Sequence, residues 1–368
     1  MKTKLTGPLA LVTLLASVLV LVSGMALAAA NARFVAPRGN DGANTCTNAK
    51  NPCQTIQHAI FAASAGDTIL LTEGTYVEVG QIVIAKNLSI AGWNRASAII
   101  KPAQDTGAAY YDDDSAWILV RSGVIFNLSG VTLDGTNRLV TNAIVSHGHG
   151  RIDGNIFTNI AYNQSGPDYN GAAIALYGSD MTVHNNRFGG IGREGVFAAF
   201  SSAVTITDNV YTGKGPGNWL DYGIEVGHNS TATISGNIIS GNTGVASVDG
   251  STSAAVVVST YFDVAPATSA IIVTGNAITG STDGIVAGFL PDDASTVVAY
   301  SNNVGDNAGY GVVSTNPAGT NVDAMCNWWG SISGPSGAGP GTGSAVSTGV
   351  AFAHWLKDSN LLRHMKCP

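Results

Sequence analysis

The sequence predicts an all-β solenoid of stacked coils, and three observations carry that prediction. One short phrase built around an asparagine recurs along the middle of the chain, and a short alternating strand leads into each copy. Gly is abundant, at 46 residues, while charged residues make up only 11%, against about 25% in an average soluble domain. Repeats of this kind, with short strands and insertions of variable length, bury their apolar faces only by stacking on their neighbours.

The recurring phrases are GNIFTN at Gly154, NNRFGG at Asn185, DNVYTG at Asp208, GNIISG at Gly236, GNAITG at Gly275 and SNNVGD at Ser301. Aligning Asn155, Asn186, Asn209, Asn237, Asn276 and Asn303 gives separations of 31, 23, 28, 39 and 27 residues, and a further 24 leads to Asn327. Asparagine suits a corner of each coil because it tolerates left-handed backbone and its amide can bond the asparagine of the next coil. A small residue followed by an aliphatic one opens a strand in each repeat: Ala143 and Ile144, Ala173 and Ile174, Gly195 and Val196, Gly223 and Ile224, Ala255 and Val256, Gly284 and Ile285, Gly311 and Val312. Strands of a few residues separated by Gly and Asn are too short for helices or for a sandwich. Earlier coils read from DTILLTEGTYVEV, NLSIAGW and NLSGVTLDG. One helix is expected, over 55–63, with Thr55 as its cap and Ile56, Ala59, Ile60 and Ala63 as its apolar face. It covers the solenoid's open N-terminal end, which would otherwise expose core and strand edges.

Residues 1–28 read as an export signal: Lys2 and Lys4, an apolar run from Leu9 to Val22, and Ala26-Leu27-Ala28 as the cleavage site. An uncleaved anchor is the alternative, because Leu9 to Ala30 is just long enough to span a bilayer. Either way the body is expected to be extracytoplasmic, secreted or at the cell surface, and off the membrane once the signal is removed. The four cysteines all follow the leader, which suits an oxidising compartment and two disulfides. Three pairings exist; the favoured one joins Cys46 to Cys53 around a short loop and Cys326 to Cys367 as a staple for the tail. The formal charge of -7 becomes -9 once the two leader lysines are removed, and no basic stripe exists, which argues against nucleic acid.

The stretch FVAPRGNDGANTCTNAKNPCQTIQHAIFAASAGDTILLTEGTYVEV resembles the entry segment of secreted bacterial right-handed parallel β-helix proteins of the pectin-lyase-like superfamily, and CNWWGSISGPSG with VSTGVAFAHWL resembles their closing segment. The resemblance implies a right-handed parallel β-helix over 29–325, with an N-terminal helical cap, and a closing segment over 326–368. Trp328 and Trp329 are then expected to pack over the last coil, and the tail from Gly349 to Leu356 to add a final strand. Because the superfamily holds polysaccharide lyases, hydrolases, epimerases and non-enzymatic surface proteins, the resemblance speaks for fold more than function.

In proteins of this kind that cleave polysaccharides, the active residues lie on one face of neighbouring coils and long insertions wall a groove. Here the insertions NQSGPDYNG, GGIGREG, KGPGNWLDYG and VASVDGSTS cluster on one side of the coils. If Ile224 and Val226 point inward, Glu225 points outward, since side chains alternate along a strand. Glu225, Asp221, Glu194, Arg193 and His228 are therefore the candidate catalytic residues, and Asp168, Tyr169, Trp219 and Tyr222 the candidate substrate-binding ones. Two carboxylates would serve glycoside hydrolysis; Arg193, His228 and a calcium ion held by acidic side chains would serve a lyase. The acidic loop YYDDDSAW at Tyr110 offers oxygen ligands of the type calcium takes, and His147 and His149 read as turn residues. The expected function is a monomeric, exported β-helix that binds an extracellular polysaccharide, with cleavage of lyase or glycoside hydrolase type left open, and a non-catalytic surface or adhesion protein is the alternative.

Overall fold

The computed structural model describes residues 32–109, 111–163, 170–260, 268–316 and 322–360. The leader, Asp168, Tyr169 and Cys367 lie outside these residues. Among the described residues the strands form three sheets of 12, 11 and 8 strands, in which neighbours along the middle of the solenoid come from every third strand of the chain. The pairs are parallel, as between Ala172–Tyr177 and Glu194–Ala199, or Thr231–Ser235 and Ala270–Thr274. Each coil thus contributes one strand to each sheet, and the apolar residues facing the axis form one continuous core from Val35 to Val350. The expected helix is present over Ile56–Ala62, with the Thr55 hydroxyl accepting the amide of His58 and with Ile56, Ala59 and Ile60 buried.

The asparagine stack exists, with two corrections to its reading. The backbone N–H and side-chain Nδ2 of each member donate to Oδ1 of the next, through Asn155, Asn186, Asn209, Asn237 and Asn276, at 2.8–3.1 Å. The stack then continues through Asn302, not Asn303, to Asn327. Asn303 instead accepts the amide of Gly305. Nor do the stacked asparagines take the left-handed backbone. That conformation belongs to the residue before each one, Gly154, Asn185, Asp208, Gly236, Gly275, Ser301 and Cys326, at φ between 53° and 68°. The preceding residue makes the corner, which leaves the asparagine free to turn its amide along the axis and satisfy the buried groups there.

The paired small and aliphatic residues also have a physical origin. Both members face the core: a Cβ on Gly223 would lie 2.7 Å from the Ala255 carbonyl oxygen and 2.7 Å from Ile239. Because two consecutive residues turn inward there, the residue before them and the residue after them both emerge on the outer face.

The closing segment extends the solenoid. Gly343–Val346 joins the 11-stranded sheet beside Tyr310–Ser314, and a strand of only Val350–Ala351, shorter than expected, pairs with Val322–Asp323. Trp329 is fully buried in the core, while Trp328 is half-buried beside it. Cys46 and Cys53 form the expected disulfide. Cys326 is disulfide-bonded as well, and its expected partner lies outside the described residues.

Candidate functional site

The outer face of the 11-stranded sheet carries one row of residues in register: Leu119, Val145, Ala175, Phe197, Glu225, Val257, Val286 and Val313. The first four are closed off from solvent, at 0–2% exposure, as part of a second apolar cluster separate from the core. From Glu225 onward every member is half-exposed. Glu225 stands where the row passes from covered to open.

Glu225 sits in the strand Tyr222–Val226 and faces outward, as its alternation with Ile224 and Val226 requires. The Glu225 carboxyl is hydrogen-bonded with that of Glu194, one coil earlier. Burial holds Glu225 above the usual carboxylate range, opposed by the Arg193 charge and by the hydrogen bond with Glu194. Its Oε2 is buried without a hydrogen-bond partner among the described residues. Glu194 is 1% exposed, and its Oε1 lies 2.9 Å from Nε of Arg193. The Arg193 guanidinium lies 5.8 Å from the centre of the Tyr222 ring.

These groups open into a cleft of about 370 Å³, lined by Arg193, Tyr222, Glu225, His228, Asp249 and Phe289 among others. Asp249 differs from Glu225 in its electrostatics. It is exposed, and hydrogen bonds from the Ser251 backbone and hydroxyl hold it below the usual carboxylate range. On the covered side an aromatic cluster borders the cleft: His228 lies 4.4 Å from Phe200 and 5.9 Å from Tyr111, centre to centre. Phe200 and His228 both take left-handed backbone, at φ 57° and 51°. That is uncommon for a bulky residue and marks strain held in place by its surroundings.

A family model for the right-handed beta helix region matches residues 106–261. By fold, the chain is a right-handed parallel β-helix. The β-helix is similar to XylC, solved in complex with xylose, at 10% identity and a TM-score of 0.50, covering 81% of this chain and 69% of that one. It is also similar to an alginate lyase from Paenibacillus sp. str. FPU-7, at 16% identity and TM-score 0.46 over 87% of this chain and 99% of that one. A pectin methylesterase from carrot gives 12% identity and TM-score 0.44 over 87% of both chains. No curated protein matches the chain. Among the described residues of the β-helix no helix is long and apolar enough to cross a membrane.

Of the expected site residues, the β-helix brings Glu225, Glu194, Arg193, His228 and Tyr222 together. Asp221 and Trp219 belong elsewhere. Asp221 is fully buried below the face, where its carboxylate accepts the Tyr211 hydroxyl at 2.5 Å, the Lys214 amide at 2.7 Å and Asn242 at 3.1 Å. A carboxylate so engaged holds a loop and cannot meet a substrate. Trp219 folds onto its own insertion, 5.0 Å from the Lys214 ammonium, with Nε1 bonded to the Gly215 carbonyl. The acidic loop is likewise committed: Asp113 pairs with His147 at 2.6 Å and Arg121 at 3.2 Å, and Asp112 accepts the Asp114 amide. Among the described residues the one close grouping of His, Cys, Asp and Glu ligand atoms is Cys46, Cys53 and His58, and its sulfurs are spent in the disulfide. Sequence reasoning missed Asp249, although it placed the insertion VASVDGSTS beside the groove, and missed Tyr111, which reaches the site from a loop far earlier in the chain.

Proposed function

We propose that the chain is an exported protein that binds a neutral polysaccharide in this cleft and hydrolyses it, with Glu225 as proton donor and Asp249 as the ionised carboxylate. The observation that carries this reading is that two carboxyls on one cleft are pushed in opposite directions, Glu225 up by burial and Asp249 down by hydrogen bonds. Such a split is the pattern by which an acid and a base are told apart in one site. Glycoside hydrolysis places its two carboxyls about 5 Å or more apart. Glu194, in direct hydrogen bond with Glu225, is too close to be the second and acts as a positioning residue that shares the proton.

Charge favours a neutral glycan over a uronate. Arg193 lines the cleft with its charge engaged by the buried Glu194, and with Glu225 carrying the proton the ionised carboxylate that faces the cleft is Asp249. A polyanion would meet net repulsion in a chain that is itself negative. Xylose, the sugar in the XylC complex, is neutral too, and the leader-like residues 1–28 support export.

The test is incubation of the protein with neutral glycans, pectins and alginates, following reducing ends and unsaturated-uronate absorbance, with Glu225→Gln in parallel. Reducing ends without that absorbance, lost in the variant, are expected. Unsaturated product would turn the reading toward a lyase, and no product on any glycan toward a non-catalytic surface protein.

A further inference from the structure

Among the described residues, the outer face is blocked at one end of the cleft and open at the other. Residues 103–109 and 111–115 are tied down across the early coils by Thr106 N–H to the Leu139 carbonyl at 2.9 Å, by Thr141 Oγ1 to the Gly107 carbonyl at 2.5 Å, and by Asp113 to His147. From there Tyr111 reaches over later strands, its ring 5.9–6.3 Å from those of Tyr177, Phe197, Phe200 and His228. The apolar cluster on the early part of this face is sealed, at 0–4% exposure. In the other direction a second cleft of about 300 Å³ shares Tyr222, Ser251, Val257 and Phe289 with the first, and the two form one groove ending near Tyr310. At about 4.8 Å per coil, the open stretch from Glu225 to Val313 is about 14 Å long.

We infer that the polysaccharide is bound by one of its ends. The terminal sugar sits against the wall of Tyr111, Phe200 and His228, and the chain runs away along the open coils toward Tyr310. This rests on the glycan reading above. A polymer lying across Glu225 in mid-chain would have to climb over the rings of Tyr111 and Phe200, which stand above a cluster that excludes solvent, whereas a chain end needs only the open half. Products would therefore be short and cut from the end.

Two measurements test this. In the first, xylan, glucomannan and arabinan are titrated into the protein by calorimetry, each intact and partly hydrolysed, at equal mass concentration. Binding that follows the number of chain ends is expected, and Tyr111→Ala should weaken that dependence. Binding that rises with chain length at constant mass overturns end recognition. In the second, Val145→Cys and Val286→Cys, which replace valines of the same row on the covered and open halves, are treated with a maleimide in the folded protein. The Val286→Cys thiol should react at least about ten-fold faster, because the other is reached only through local opening. Equal rates overturn the wall. If no probe binds, end recognition falls with the glycan reading, and unequal labelling shows that the blocked groove stands and the glycan assignment was at fault.

Discussion

Two stacks of side chains run the length of this solenoid and are built on opposite terms. The asparagine stack repeats one residue from coil to coil, and every amide in it is satisfied by the coil above and the coil below. The outer row of the 11-stranded sheet repeats only its position. Its residues run from leucine through phenylalanine and glutamate to valine, its burial changes halfway, and at the change a buried carboxylate oxygen has no partner among the described residues. A repeat holds identical residues where they bond each other, and it is free to vary where they face outward. The break in the outer row is where ligand chemistry has room.

The comparison breaks most readily at Glu225. Glu225→Gln keeps the shape and removes the transferable proton, and loss of a general acid costs about 10²–10⁴-fold in rate. Reducing-end release should fall by that factor while the urea midpoint stays level or rises. A variant that unfolds instead would put Glu225 with the structural stack.

The asparagine stack should respond in the opposite way. Asn237→Ala leaves the Asn209 N–H without its acceptor and removes one acceptor of Asn209 Nδ2, the Nδ2 donor to the Ile206 carbonyl and one of the two donors to Asn276 Oδ1, which keeps the backbone N–H of residue 237. Unsatisfied buried groups cost about 1–3 kcal/mol each, so a loss of about 3 kcal/mol or more is expected in urea unfolding. Asn303→Ala, one residue outside the stack, loses a single hydrogen bond to Gly305 and should cost about 1 kcal/mol. Equal losses would put Asn303 back in the stack.

What the sequence made legible follows the same division. The asparagine phrase and the small-aliphatic pairs could be read because each coil imposes the same steric demand, so the signal repeats. The outward direction of Glu225 was legible from strand alternation alone. The one-residue slip at Asn303 arose because SNNVGD offers two adjacent asparagines, and only the pairing of coils selects Asn302. Asp221 was misplaced because an acid just before a strand looks solvent-facing until Tyr211, Lys214 and Asn242 are seen to enclose it. Tyr111 was not legible at all, since its contacts with His228 depend on a loop crossing several coils.

A smaller effect contrasts the cap with the coils. Cys46 and Cys53 are separated by 7 residues and tie the entry segment together, whereas the coils rely on stacking. Closing so short a loop stabilises by about 2 kcal/mol in the chain-entropy model. Replacing both cysteines with serine should lower the unfolding midpoint by that amount and leave activity on the outer face unchanged.

The smallest expected effect is in the pH dependence of stability, and its sign separates the two cleft carboxyls. Burial raises Glu225 in the folded state, so its contribution is fully present below the ordinary carboxylate range and is lost as pH rises through the folded value. Glu225→Gln cannot ionise, so its stability relative to the parent protein should grow with pH across that interval and then level off. Asp249 is lowered, so its contribution is present above the ordinary range and is lost as pH falls through the folded value. Being exposed, it should register only weakly: Asp249→Asn should match the parent at the acid end and fall slightly below it as pH rises through the folded value, the opposite slope. Urea midpoints for the three proteins over a pH series check both signs. Parallel curves for Glu225→Gln and the parent would mean that Glu225 ionises without penalty, and the assignment of a proton donor to this cleft would fall with it.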